Sequence, residues 1–89
     1  MARSIHFTPI GFEEYIAWRT RDDQMLDRIN QLLKETARDP FKGIGKPEPL
    51  KGKYHGFWSR RISQEHRLVY KVEGEAIVVV KCAGHYDDK

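Results

Sequence analysis

Residues 76–80 read Ala-Ile-Val-Val-Val, four of them β-branched in succession. Side chains of a strand alternate between faces, so a run apolar at every position is buried on both sides, as a central strand is. A chain of 89 residues has material for one core, so residues 1–89 are read as a single domain organised about this segment.

The text on either side supplies what such a strand needs. Two further strand candidates precede it, at about Tyr54–Ser63 and His66–Val72, and the central one spans about Ala76–Cys82. Ser63-Gln64-Glu65 and Glu73-Gly74-Glu75 are short enough to be hairpin turns between them. Near the start, Ile5 and Phe7 alternate with Ser4, His6 and Thr8, which predicts a short first strand. Thr8-Pro9 reads as an N-cap followed by proline at the first helical position. Glu13 and Glu14 fall in the early turns, where the helix dipole favours negative charge, and Phe12, Tyr15, Ile16 and Trp18 form a short apolar stripe. Asp22 and Asp23 start a second helix, along which Met25, Leu26, Ile29, Leu32 and Leu33 mark one face. Asp39-Pro40 ends it, because the residue before proline avoids the helical region. Phe41–Lys53 holds three glycines and two prolines and is expected to be an irregular loop. The order βααβββ predicts an α+β fold: a small, antiparallel-rich sheet with a two-helix hairpin packed on one face, apolar sides inward. The other face is left open beside the loop.

Charge is unevenly placed. The formal net charge is only +3, yet residues 42–67 carry Lys42, Lys46, Lys51, Lys53, Arg60, Arg61 and Arg67 against Glu48 and Glu65 alone. Tyr54, Phe57 and Trp58 lie among these cations. Such mixtures suit phosphates and bases, so nucleic acid is the partner this patch suggests. A solvated loop with its rings turned inward has the same composition. No apolar run approaches the roughly 18 residues of a membrane span, and Met1-Ala2-Arg3-Ser4-Ile5-His6 turns polar too early for a signal peptide. The single cysteine forms no internal disulfide and no zinc-ligand spacing, so a cytoplasmic location is expected.

Several residues are candidates for chemistry. Gly43-Ile-Gly-Lys46 is no phosphate-binding loop, since Pro47 stands where a Ser or Thr is required and removes a backbone donor. His6, His55, His66 and His85 are scattered, so neither metal nor other cofactor is expected. Cys82 ends the most apolar strand and reads as an inert buried thiol. Glu48, stiffened between Pro47 and Pro49, is either a solvated loop carboxylate or a preorganised general base. His85, followed by Tyr86, is either an exposed terminal pair or a proton donor. Arg67 is either in an edge ion pair with Glu65 or a clamp on phosphate.

Taken together, the text Asn30…Leu32…Thr36, Pro40-Phe41-x-Gly43-x-Gly45-Lys46-Pro47-Glu48-Pro49-Leu50-Lys51, Gly56-Phe57-Trp58-Ser59-Arg60-Arg61-Ile62, Glu65-His66-Arg67-Leu68-Val69-Tyr70, and Cys82 with His85-Tyr86 resembles the YoeB-type toxins of the RelE/ParE superfamily. These belong to bacterial type II toxin–antitoxin systems. The resemblance implies a ribosome-dependent, metal-independent endoribonuclease that cuts mRNA in the A site of the 70S ribosome. The ribose 2′-hydroxyl attacks the adjacent phosphate and leaves a 2′,3′-cyclic phosphate and a 5′-hydroxyl end. By the same resemblance Glu48 is the general base, His85 the general acid and Arg67 the stabiliser of the phosphorane, helped by Arg61 and Lys51. Tyr86 orients the phosphate or stacks on a base. Lys46, Lys53 and Arg60 are expected on RNA phosphates. A YefM-like antitoxin with an acidic, partly disordered C-terminal segment, and a homodimer, are the implied protein partners; no membrane is implied. The alternatives are a ParE-like toxin of DNA gyrase, which lacks this acid–base set, and a non-catalytic relative that only binds RNA or antitoxin. An RNA-binding domain of the RRM type is disfavoured by the element order. One departure stands out: Ala83-Gly84 occupy the place of a basic residue and a tyrosine, and glycine is expected to loosen the backbone before His85. Asp87-Asp88-Lys89 extends the end with added negative charge.

Overall fold

The computed structural model describes residues 2–86. The chain runs β1 (Ser4–Phe7), α1 (Pro9–Arg21), α2 (Asp23–Arg38), β2 (Glu48–Pro49), a 3-10 turn (Gly52–Tyr54), β3 (Trp58–Arg61), β4 (Arg67–Glu73) and β5 (Ala76–Lys81). Asp87-Asp88-Lys89 lie outside the described residues.

Local chemistry sets the helix ends. The Thr8 hydroxyl accepts from the Gly11 amide at 3.1 Å, and Pro9 opens α1. Asp22 both closes α1, its amide donating to Trp18 O, and caps α2, its carboxylate accepting from Gln24 and Met25. One residue thus makes the hairpin corner. The Asp39 amide donates to Glu35 O at 2.9 Å and Pro40 follows, which ends α2.

The sheet order is β1-β5-β4-β3-β2, so the β-branched run is an interior strand, flanked by β1 and β4. It is antiparallel throughout except where β1 runs parallel to β5, Ser4 opposite Ala76 and Phe7 opposite Val79. Parallel neighbours need a covering crossover, and everything from α1 to β4 provides it. Leu68, Tyr70, Ile77 and Val79 form one buried cluster with Trp18 of α1 and Ile29, Leu32 and Leu33 of α2. The opposite parity carries Glu48, Ser59, Arg61 and Arg67, paired Glu48 with Ser59 and Arg61 with Arg67. That face bears the polar groups.

Two expectations need correction. The loop 41–53 is not wholly irregular, for Glu48–Pro49 forms a fifth strand at the sheet edge, where a proline is tolerated. Nor does the stripe on α1 face inward as a whole. Trp18 is buried and Tyr15 half-buried, but Ile10, Phe12 and Ile16 are exposed. The reason is Gly11. A Cβ there would stand 2.5 Å from Val79 O, so α1 lies directly on the β5 backbone along its Gly11–Glu14–Trp18 side. Apolar residues on other sides are turned outward.

Arg60 also departs from expectation. It is fully buried, donating from Nε to Tyr70 Oη (3.2 Å), from Nη1 to Ile44 O (2.9 Å), and from Nη2 to Asp39 O (2.6 Å) and Lys42 O (2.9 Å). Tyr70 Oη in turn donates to Pro40 O at 2.6 Å. Its guanidinium therefore ties the end of α2 and the 39–44 loop to β3 and is not available to RNA phosphate. The strand's alternation sends Arg61 out and Arg60 in.

Candidate active site

Lys46, Glu48, Ser59, Arg61, Arg67, His85 and Tyr86 line a cleft of about 140 Å³. Four elements meet there: β2 brings Glu48, β3 brings Ser59 and Arg61, β4 begins with Arg67, and the segment after β5 carries His85 and Tyr86. Of the phosphate-binding cations expected from sequence, Lys46 and Arg61 line the cleft. Lys51 and Lys53 are exposed in the β2–β3 connection, with the Lys53 ammonium 5.8 Å from the Tyr54 ring centre. Arg60 is buried on the other side.

Glu48 is held by its strand pairing with Ser59 as well as by its flanking prolines. Among the described residues its carboxylate joins no ion pair. The loop before it is pinned where Gly45 O accepts from the Arg61 amide. Gly45 sits at φ +81°, and a Cβ there would press on Leu32 at 2.8 Å. Lys46 follows at φ 50°, a left-handed conformation that costs a side-chain-bearing residue about 1–2 kcal/mol. Strain of that kind, next to a cleft, is held by surrounding structure.

The β3–β4 turn acts as a bracket for the cation and the imidazole. The Ser63 hydroxyl accepts from the Glu65 and His66 amides and shapes the turn. Arg67 Nη1 then donates to Ser63 O (2.6 Å), Gln64 O (3.1 Å) and His66 O (3.2 Å). Gln64 O also receives His85 Nε2 at 3.1 Å. Arg67 is therefore fixed by backbone carbonyls, not by an ion pair with Glu65. Because a carbonyl only accepts, Nε2 carries the proton in this arrangement and Nδ1 is the ring atom left for chemistry.

The segment leading to His85 is clamped rather than loose. Glu14 of α1 accepts from the Cys82 and Ala83 amides (2.7 and 3.0 Å), and Trp18 Nε1 donates to Cys82 O at 2.9 Å. Lys81 bridges Glu14 and Ala83 O. The Gly84 amide donates to His66 Nδ1 at 2.7 Å, and its carbonyl accepts from the Arg67 amide at 3.0 Å. Gly84 adopts φ +71°, a region glycine enters freely. At this position glycine permits a tight turn that is then bonded at both ends.

His66 is buried against Trp18, ring centres 4.8 Å apart. Burial, aided by the Arg21 guanidinium, lowers its pKa below the usual imidazole value, with Glu65 opposing. The neutral ring is the one able to accept from Gly84. Cys82 is fully buried, and burial with the nearby Glu14 carboxylate pushes its thiol up to about 12. It is inert, as its sequence position suggests. Tyr86 meets Tyr54 edge to face at 6.0 Å, and Tyr54 meets Phe57 likewise. Trp58 instead packs against Phe41 and the core. Glu14, Trp18, Ser63 and His66 thus support the site without having been singled out for it. Their partners are backbone groups far along the chain, which leave no local pattern.

The chain is similar to known proteins in sequence and fold. A family described as YoeB-like toxin of bacterial type II toxin–antitoxin system matches residues 7–86. Toxin YoeB of Streptomyces coelicolor is 52% identical over 82 residues, covering 92% of this chain and 98% of that protein. The solved YoeB dimer from Staphylococcus aureus superposes with a TM-score of 0.87 at 44% identity, covering 97% of this chain and 100% of that one. The heterotetrameric YoeB–YefM toxin–antitoxin complex from the same species gives 0.86 at 44% identity, with the same coverage. The two-helix hairpin on a five-stranded mixed sheet, the sequence text and these matches agree: the chain belongs to the YoeB-like toxins of bacterial type II toxin–antitoxin systems.

Proposed function

We propose that the protein is a metal-independent endoribonuclease that cuts mRNA in the A site of the translating ribosome. The observation that carries this reading is the meeting of an unpaired carboxylate, two guanidinium groups and a histidine in one cleft. Transesterification of RNA needs a base, an acid and positive charge, and this set can supply all three. Glu48 takes the proton of a ribose 2′-hydroxyl, and the oxygen attacks the adjacent phosphorus. Arg67, Arg61 and Lys46 offset the charge that grows on the phosphorane oxygens. His85, as imidazolium, gives its Nδ1 proton to the departing 5′-oxygen. The P–O5′ bond breaks, and the products are a 2′,3′-cyclic phosphate and a 5′-hydroxyl. DNA, without the 2′-hydroxyl, is not a substrate.

Tyr86, in line with Tyr54 and Phe57, offers a ring to a base beside the cut. Lys51 and Lys53 serve phosphates beyond it, and activity weakens as salt rises. The Staphylococcus aureus relative is seen with YefM and as a dimer. A YefM-like antitoxin with an acidic segment that covers the cleft, and self-association, are the partners proposed for this chain. The reading places the protein in the cytoplasm, with the ribosome.

Primer extension on mRNA held on purified 70S ribosomes tests it. Wild type should cut within the A-site codon and not without ribosomes. Glu48→Gln and His85→Gln should each lower single-turnover cleavage by about 10²–10⁴-fold, with melting unchanged because both residues are exposed. Intact mRNA with bound wild-type protein would refute the nuclease reading.

A further inference from the structure

A second and larger cleft, about 620 Å³, opens beside the first and is lined by Arg28, Arg61, Ile62, Ser63, Gln64, Arg67 and His85. It shares Arg61, Arg67 and His85 with the smaller cleft but not Glu48; Arg28, from α2, lines only the larger one. No carboxylate is among the lining residues, and buried Ile62 gives it an apolar wall. Its volume lies within the roughly 300–1,000 Å³ of pockets that take a nucleotide-sized group. Arg28 is half-buried and weakly held, its Nη2 at 3.5 Å from Arg61 O.

We infer that this groove binds the nucleotide on the 3′ side of the cut, with Arg28 on the phosphate that follows it. The inference rests on the nuclease reading and deepens it by giving the RNA a direction. Glu48 serves the 2′-hydroxyl of the upstream nucleotide, and His85 protonates the 5′-oxygen of the downstream one. His85 stands between the two clefts. The strand therefore runs 5′ to 3′ from Glu48, past His85, into the Arg28 groove. There a guanidinium meets the next phosphate with no competing carboxylate. Until the P–O5′ bond breaks, the downstream nucleotide is thereby held at both ends, by Arg67 and Arg61 on the scissile phosphate and by Arg28 on the phosphate beyond it.

The test pairs Arg28→Ala with an mRNA carrying a neutral methylphosphonate one linkage 3′ of the cut, assayed on 70S ribosomes. On unmodified mRNA, Arg28→Ala should lower kcat/KM about tenfold, the worth of one charge-assisted bond to phosphate, and reduce the salt slope by about one. The methylphosphonate should cost wild type a similar factor and the variant almost nothing more. A methylphosphonate placed 5′ of the cut should leave the Arg28→Ala loss intact. If wild type ignores the neutral linkage, or the two losses multiply, the subsite is overturned while the nuclease reading stands. If wild type leaves unmodified mRNA whole, both fall. The methylphosphonate arm needs no folded variant, so the outcome does not depend on the substitution's stability.

Discussion

Arg60 and Arg61 are neighbours of the same charge, and the structure gives them opposite roles that one experiment separates. Arg60→Ala removes four hydrogen bonds made by a buried guanidinium. Bonds from a charged donor contribute about 1.5–3 kcal/mol each, so four set a ceiling of about 12 kcal/mol. Water regains the half-buried carbonyls of Asp39, Lys42 and Ile44 but not the buried Tyr70 hydroxyl. The expected loss is then about 3–5 kcal/mol, against a total stability of about 5–13 kcal/mol for a chain of this length. For a domain of this size that is a fall in Tm of roughly 15–30 °C. Arg60→Lys should recover little, since one ammonium does not span four acceptors arranged for a planar fork. Arg61→Ala, exposed and lining the cleft, should melt within about 0.5 kcal/mol of wild type while cleavage falls tenfold or more. Urea or thermal unfolding, beside single-turnover cleavage, reads both quantities. An Arg60→Ala protein within about 1 kcal/mol of wild type, or an Arg61→Ala protein as unstable as the Arg60 variant, would refute the assignment of one inward and one outward arginine.

Three further outcomes follow from the clamp on the C-terminal segment. His66 has its pKa lowered on folding, so the unfolded chain binds more protons; the stability it contributes is whole above pH 6.5 and is lost as pH falls through the folded value. Urea midpoints at pH 7.5 and 5.5 should therefore differ more for wild type than for His66→Gln, and a wild type that gains stability on acidification would contradict this. Cys82 should resist iodoacetamide at pH 8 in the native protein and react once urea exposes it, measured by mass; rapid native labelling would show that the thiol is not buried. Glu14→Gln keeps the shape but weakens acceptance from the Cys82 and Ala83 amides, and cleavage should fall about tenfold with kcat moving more than KM. An effect on KM alone would mean that Glu14 does not position His85.

What the sequence disclosed and what it hid divide by the range of the forces involved. Thr8-Pro9, Asp22 and Asp39-Pro40 mark helix ends because caps bond within three or four residues, and such signals are written locally. The valine run marks β5 as an interior strand because it shows no polar alternation, although only Ile77 and Val79 are fully buried and Val78 and Val80, on the uncovered face, are half-buried. β2 was hidden because two residues with a proline carry no period; only Ser59, brought alongside, makes them a strand. The inward side of α1 carries no local signal, because Gly11 and Glu14, which select it, interact with Val79 and Cys82 across the fold. In Phe57-Trp58-Ser59-Arg60-Arg61 two adjacent rings and two adjacent arginines make either parity plausible, so the local text does not tell the inward arginine from the outward one. Glu48, Arg67, His85 and Tyr86 were legible as candidates through their family text. That they share one cleft with Lys46 and Arg61, and that Gln64 O joins Arg67 to His85, is tertiary information.

The parallel pairing of β1 with β5 also bears on how the molecule is made. β1 precedes every other described strand in the chain, and its sheet partner, β5, is the last of them to be translated. Until Ala76–Lys81 appears, Ile5 and Phe7 have no ladder, and α1 has no backbone on which Gly11 can rest. Contacts this distant in sequence close late and slow folding. A nascent chain stopped short of β5 thus has neither a completed sheet nor the bonds from Glu14, His66 and Arg67 that seat the segment bearing His85. Completing the sheet and seating His85 are one event, and a chain made only as far as β4 carries the cations of the cleft without the segment that bears the imidazole.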